Sequence, residues 1–197
     1  SKFKPMKKNS EILKKFQLEN SFTILCVGRL VSWKGFQYAI KAMPQVLKKI
    51  PNAMLLIVGK GEFGEELRKL VSELNFEKNV VFAGQISHEV LPQYYSVCDV
   101  FLQPSIAMES LSLTLISGQA CGKACIASNL GAMKEVIING ENGFLVVPEN
   151  ENAIAEKIIE IFSNTKLRKK FEENARKNAL QRFDLSKNIA KFEELFS

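Results

Sequence analysis

The chain has 197 residues, enough for one or two domains. With 46% hydrophobic and 24% charged residues it has the composition of an ordinary globular protein, and no apolar run is long enough to cross a bilayer. The formal net charge of +6 is unevenly spread: residues 1–20 carry six Lys/Arg against two acids and residues 166–197 carry nine against five, so the stretch between is slightly acidic. That distribution, without an aromatic-rich basic motif, argues against nucleic acid as the partner. It leaves either a solvated helix face or an anionic partner such as a membrane surface. The start, SKFKPMKKNS, is basic with no apolar run behind it, so no signal peptide is expected. The reading is cytoplasmic, with the inner face of the membrane as the place where basic ends would act.

The first twenty residues hold a proline, many lysines and one short helix, and read as a linker-like segment following a missing N-terminal domain. From Ser21 strands and helices alternate. SFTILCVG is a strand ending in Gly28, and KGFQYAIKAMPQVLKKI has apolar residues at helical spacing. NAMLLIVG is a second strand ending in Gly59, followed by the amphipathic EFGEELRKLVSELN. NVVFAG is a third strand ending in Gly84, SHEVLPQYYSVC a short helix, and DVFLQPS a fourth strand. LSLTLISGQACG is helical by length, KACIAS a fifth strand, GAMKEVIING a short helix and GFLVVP a sixth strand. ENENAIAEKIIEIFSN, KLRKKFEENARKNALQRF and LSKNIAKFEELF are three closing helices.

These strands are near-continuous apolar runs, the pattern of a sheet covered on both faces. Alternation with short links predicts right-handed βαβ units and an α/β, doubly wound parallel sheet of the Rossmann-like kind over residues 21–197. Ligands of such sheets bind beyond the carboxyl ends of the strands.

GRLVSWKGF follows the first strand and matches neither the dinucleotide nor the P-loop pattern. It places Arg29 and Lys34 in one loop, a planar fork and a compact charge that suit a diphosphate; two loop cations also occur as a merely solvated pair. Between Asp99 and Lys123 the only charge is Glu109. The helix beginning near Leu111 offers free amides at Leu111 to Leu113 and a positive dipole end, a place for an anion. Glu109 therefore suits the hydroxyls of a neutral polyol, or else simply favours the helix start. A diphosphate beside a polyol describes a nucleotide sugar. The four cysteines include no CxxC pair, and the one histidine, His88, has no nearby thiol, so buried thiols are expected rather than a zinc site or disulfides.

The chain resembles the C-terminal half of retaining glycosyltransferases of the GT-B fold, in the large family four. GRLVSWKG resembles the family's GRLVxxKG, LLIVGKGEFGEELRKL its IVGxGxxxxxL, and VVFAGQISHEVLPQYYSVCDVFLQPS its VxFxG…LxxxYxxADVFxxPS. GKACIASNLGAMKEVIINGENGFLVVP resembles GxPVIAxxxGGxxEVIxxGxxGxLV, and KFKP the segment after the interdomain linker. Each motif is loose alone; together, in order and at family spacing, they cover almost the whole chain.

The resemblance implies a hexosyltransferase whose donor half is this chain, with the acceptor, a glycan or lipid-linked sugar, held mainly by the missing domain. Arg29 and Lys34 would neutralise the departing diphosphate, and Glu109 would hold donor-sugar hydroxyls. Amides near Leu111, Ser112 and Leu113 would touch sugar and phosphate, and Gln85 and Ile86 the base. Neither a metal nor a further cofactor is implied, because the fixed cations do the metal's work. The family carries a second glutamate eight positions after the first, where this chain has Ser117; Ser112 and Ala132 replace common glycines. Without that glutamate the ribose loses a charged acceptor, which predicts weak nucleotide binding or another group at the ribose. A catalytically weak homologue serving as a nucleotide- or partner-binding module, and a nucleotide-sugar epimerase of the same fold, are the alternatives.

Overall fold

The computed structural model describes residues 2–107 and 112–183. Its strands are β1 (Phe22–Val27), β2 (Ala53–Val58), β3 (Val80–Gly84), β4 (Val100–Gln103), β5 (Ala124–Ser128) and β6 (Gly143–Val146). Its helices are α1 (Ser10–Lys15), α2 (Phe36–Lys49), α3 (Gly64–Glu73), α4 (Leu91–Val97), α5 (Leu113–Ala120), α6 (Met133–Val136), α7 (Glu151–Ser163) and α8 (Thr165–Arg182). A 3-10 turn at Ser32–Lys34 precedes α2. The expected helix over residues 185–196 lies outside the described residues.

The strands form one parallel sheet in the order β3-β2-β1-β4-β5-β6. β1 pairs with β2 from Phe22 opposite Ala53 to Val27 opposite Val58, and with β4 through Ile24–Val100 and Leu25–Phe101. Chain order reverses between β1 and β4, so a crevice opens beyond their carboxyl ends. This is the doubly wound sheet that the alternation predicts.

Burial explains the apolar runs. β1, β4 and β5 are buried at every residue, on both faces of the sheet. Over one face α2, α3 and α7 pack Ile40, Leu67 and Ile158 against Ile24, Leu55 and Ile57. Over the other, α4 and α5 pack Tyr95 and Leu115 against Leu25, Phe101 and Cys125. The opening residues belong to this second core through Phe3, Ile12 and Leu18, each such burial contributing about 1.5–3 kcal/mol. The Phe3 ring stands edge-on to Tyr95 and His88, with centroids 5.9 and 5.0 Å away. Asn150 and Asn164 start α7 and α8 by accepting from the Ala153 and Leu167 amides at 2.9 and 3.0 Å.

All four cysteines are buried free thiols. Burial pushes Cys98 up to about 12 and Cys121 up to about 11. The Cys98 thiol donates to the Tyr95 carbonyl at 3.3 Å. These are packing residues, and among the described residues no cluster of His, Cys, Asp and Glu has the makings of a metal site.

Candidate functional site

Beyond the carboxyl ends of β1, β2 and β3 lies a cleft of about 660 Å³, lined by Gly28, Arg29, Gly59, Lys60, Gly61 and Gln85. Its walls are held by main chain. The Leu30 amide donates to the Lys60 carbonyl at 3.0 Å, the Phe63 amide to the Leu30 carbonyl at 2.9 Å, and the Gly59 amide to the Gly84 carbonyl at 2.9 Å. Gly59 has φ 148°, and a Cβ there would land on the Gly28 carbonyl oxygen. Only glycine lets the two strand ends approach this closely.

Arg29 is exposed, its guanidinium 5.7 Å from the centre of the Trp33 ring. A cation over an aromatic face is attracted to it, which narrows the orientations the fork takes. Lys34 closes the 3-10 turn, and its stem lies over Gly28, with Cδ and Cε each 3.7 Å from where a Cβ on that glycine would stand. Immediately after, Gly35 turns the chain into α2 at φ 71°, in the left-handed region, and a Cβ there would strike the Pro104 carbonyl. The Ile106 amide donates to the Trp33 carbonyl at 2.9 Å. The loop after β1 is thus fastened to the loop after β4, across the switch point.

The β4 side is built from side chains instead. Tyr95 Oη donates to the Thr114 carbonyl at 2.8 Å, and Thr114 Oγ1 donates to Gln103 Oε1 at 2.8 Å. Gln103 Nε2 in turn donates to Ser105 Oγ at 2.9 Å. This buried chain fixes the beginning of α5 against the end of β4. Ser112, just before α5, is 1% exposed, and its hydroxyl has no partner among the described residues. The Ser112 side chain does not cap the first turn of α5, and the leading amides of a helix are groups that a ligand can meet.

The structure therefore gathers Arg29 and Gln85 around one cleft and sets Lys34 at its β1 edge. Leu113 is exposed at the first turn of α5, and Ser117 is half-buried a turn further on. Ile86 packs its side chain against the second core while its neighbour Gln85 faces the cleft. Glu109 and Leu111 lie outside the described residues. The predicted helix from Leu111 to Gly122 is α5 in a shorter form, since Ser112 has the non-helical angles φ −87°, ψ 80°. Gln119 serves structure: it donates to the Val136 carbonyl at 3.1 Å and accepts from Asn178 at 2.8 Å.

Two site residues escape the sequence reading. Lys60 adds a second cation to the cleft lining, and Trp33 orients Arg29. The signal for Lys60 was present in VGKG, a basic residue between two glycines at a strand end. Among the described lining residues there is no acid. A cationic, glycine-walled crevice at a switch point can hold a diphosphate with main-chain and side-chain donors together.

Known proteins share this sequence pattern and fold. A family model described as "Glycosyl transferases group 1" matches residues 8–178. An uncharacterized glycosyltransferase of Methanocaldococcus jannaschii is 32% identical over 99% of this chain and 49% of its own length. The crystal structure of HepE from Anabaena in complex with UDP-glucose is similar with a TM-score of 0.87 and 27% identity, over 95% of this chain and 51% of that one. The C-terminal domain of LpcC, a glycosyl transferase group 1 family protein from Francisella tularensis, gives a TM-score of 0.83 at 28% identity, over 93% of this chain and 96% of that domain. The chain spans about half the length of the curated relatives it matches.

Proposed function

The chain belongs to the glycosyl transferases group 1 family, and from that premise we propose that it is the donor-binding half of a retaining, metal-independent hexosyltransferase using a nucleotide-diphosphate sugar. The observation that carries this reading is the meeting of Arg29 and Lys60 in one glycine-walled cleft, with Lys34 at its edge. In the reaction the bond between sugar carbon and diphosphate oxygen breaks, and negative charge grows on the departing phosphate. Cations held in place before that moment stabilise it without reorganising.

Arg29 and Lys34 take the diphosphate, and Lys60 adds to the field from the end of β2. Gln85 meets the base. The leading amides of α5, at Leu113 and beside Ser112, reach sugar and phosphate, and the orphan Ser112 hydroxyl has a partner once a ligand is present. Leu111 is assigned to the same group of amides, and Glu109 to the hydroxyls of the donor sugar. Ser117 stands toward the ribose. The acceptor, a glycan or a lipid-linked sugar, is held mainly by chain outside these 197 residues, and transfer awaits that part.

Isothermal titration of the chain with UDP, GDP and ADP and their sugars tests this. At least one diphosphate is expected to bind, more weakly as salt rises and equally well with a chelator present. Absence of binding across the panel at millimolar ligand overturns the reading, as does efficient transfer by this chain alone, at about 1–1,000 per second.

A further inference from the structure

Two basic stretches, residues 2–8 and α8, are far apart in sequence and side by side in space. Residues 2–8 run as an extended strap alongside α8, in the opposite direction. The Arg176 guanidinium donates to the Phe3 carbonyl at 3.0 Å. Pro5 lies against Gly122 and shares a groove of about 590 Å³ with Glu172, Arg176, Lys177 and Leu180. Lys8 pairs with Asp99 at 3.0 Å, and Arg168 approaches the same carboxylate to 3.9 Å. The strap carries four lysines and no acid; α8 carries seven Lys/Arg against two glutamates. Strap and α8 together thus carry more positive charge than the whole chain's +6, and the rest of the sequence is net acidic.

What covers such a face follows from which groups are free to meet a partner. Arg176 is engaged with the Phe3 and Ala120 carbonyls, and Arg182 donates to the Glu135 carbonyl at 2.6 Å. The outward heads are therefore mostly lysine ammoniums: Lys2, Lys4, Lys7, Lys169 and Lys177 are all exposed. Ammoniums act as point charges, suited to a diffuse field of phosphates rather than to bidentate reading of one group. The aromatic rings of the strap and α8, Phe3 and Phe171, are buried, so neither can stack on bases. Between Pro5 and Lys7, however, Met6 is 45% exposed, an apolar side chain within a lysine-rich strap. We propose that this strap-and-helix face docks the protein on an anionic phospholipid surface, the lysines meeting headgroup phosphates and Met6 entering the interface. The inference is independent of the nucleotide-sugar reading.

Sedimentation of the chain with phosphatidylcholine vesicles, with and without phosphatidylglycerol, at physiological salt is the test. Binding is expected only to the anionic vesicles. The triple variant Lys2→Glu, Lys4→Glu, Lys7→Glu is expected to lower the partition coefficient tenfold or more. The milder set Lys2→Gln, Lys4→Gln, Lys7→Gln is expected to give an intermediate loss with an unchanged melting temperature, which separates charge from folding. Met6→Asp is expected to lower it severalfold. Lys48→Glu with Lys49→Glu, at the exposed end of α2, is expected to leave it unchanged. Equal binding to neutral vesicles, undiminished binding by the triple variants, or release by a single-stranded oligonucleotide at matched phosphate concentration overturns the proposal; the last would mark a nucleic-acid surface.

Discussion

The two walls of the crevice are made of different material. On the β1–β2 side the loops are joined amide to carbonyl, and the closest approach depends on an absent side chain at Gly59. On the β4–α5 side the same task falls to a side-chain relay from Tyr95 through Thr114 and Gln103 to Ser105. A main-chain wall tolerates almost any side chain that points away from it and no Cβ where it is pinched. A side-chain wall accepts isosteric change at modest cost and responds to the chemistry of its supports. The cations belong to the first wall and the open helix amides to the second, so a diphosphate bridging them would touch both kinds of construction.

The largest effect that separates the walls is expected at Gly59→Ala. A left-handed φ and a collision with backbone combine there, and urea unfolding should show a loss of about 3 kcal/mol or more. A loss under 1 kcal/mol would mean that the strand ends can spread. Next, Lys34→Ala should lower nucleoside-diphosphate affinity about tenfold or more, equivalent to roughly 1.5–3 kcal/mol, with the domain still folded. Unchanged binding by calorimetry would leave the loop a solvated turn.

Ser117→Glu tests the second wall. Restoring a charged acceptor should tighten riboside binding by about 1–3 kcal/mol and leave deoxyriboside binding alone. If both respond alike, position 117 does not face a ribose.

The second wall also rests on thiols, since Cys98, Cys121 and Cys125 lie in the core beneath α5. Burial raises Cys98 from 9.0 to about 12 and Cys121 from 9.0 to about 11. The unfolded thiols ionise above pH 9 while the folded ones stay neutral, so stability is full below that pH and falls as pH rises toward the folded values. The slope should be about 1.4 kcal/mol per pH unit for each thiol, and Cys98→Ala should flatten it. The smallest effect belongs to Thr114→Val, an isosteric loss of one hydroxyl contact costing about 1 kcal/mol in unfolding experiments.

The strands were legible because burial on both faces leaves a run such as ILCV or LLIV with no polar position, and these two runs end at Gly28 and Gly59, which line the cleft. Arg29, which lines the cleft, was legible for the same reason, being the charged residue next to such an end. Lys60 was passed over because a lysine between glycines reads as an ordinary turn until the opposing strand end is in place. The Gln103–Thr114 contact spans a loop, and nothing in either residue's neighbourhood marks the other. The strap was the least legible: Phe3, Ile12 and Leu18 follow no helical or strand period, and the arginine that fixes Phe3 is 173 residues away.

The bond between Ile106 and Trp33, with Gly35 set against Pro104, has a kinetic consequence. A crevice whose two lips are sewn together at the switch point is shaped before its ligand arrives. Those two lips need no ordering on arrival, so encounter rates should vary little among nucleotides, and residence time should carry the discrimination between them.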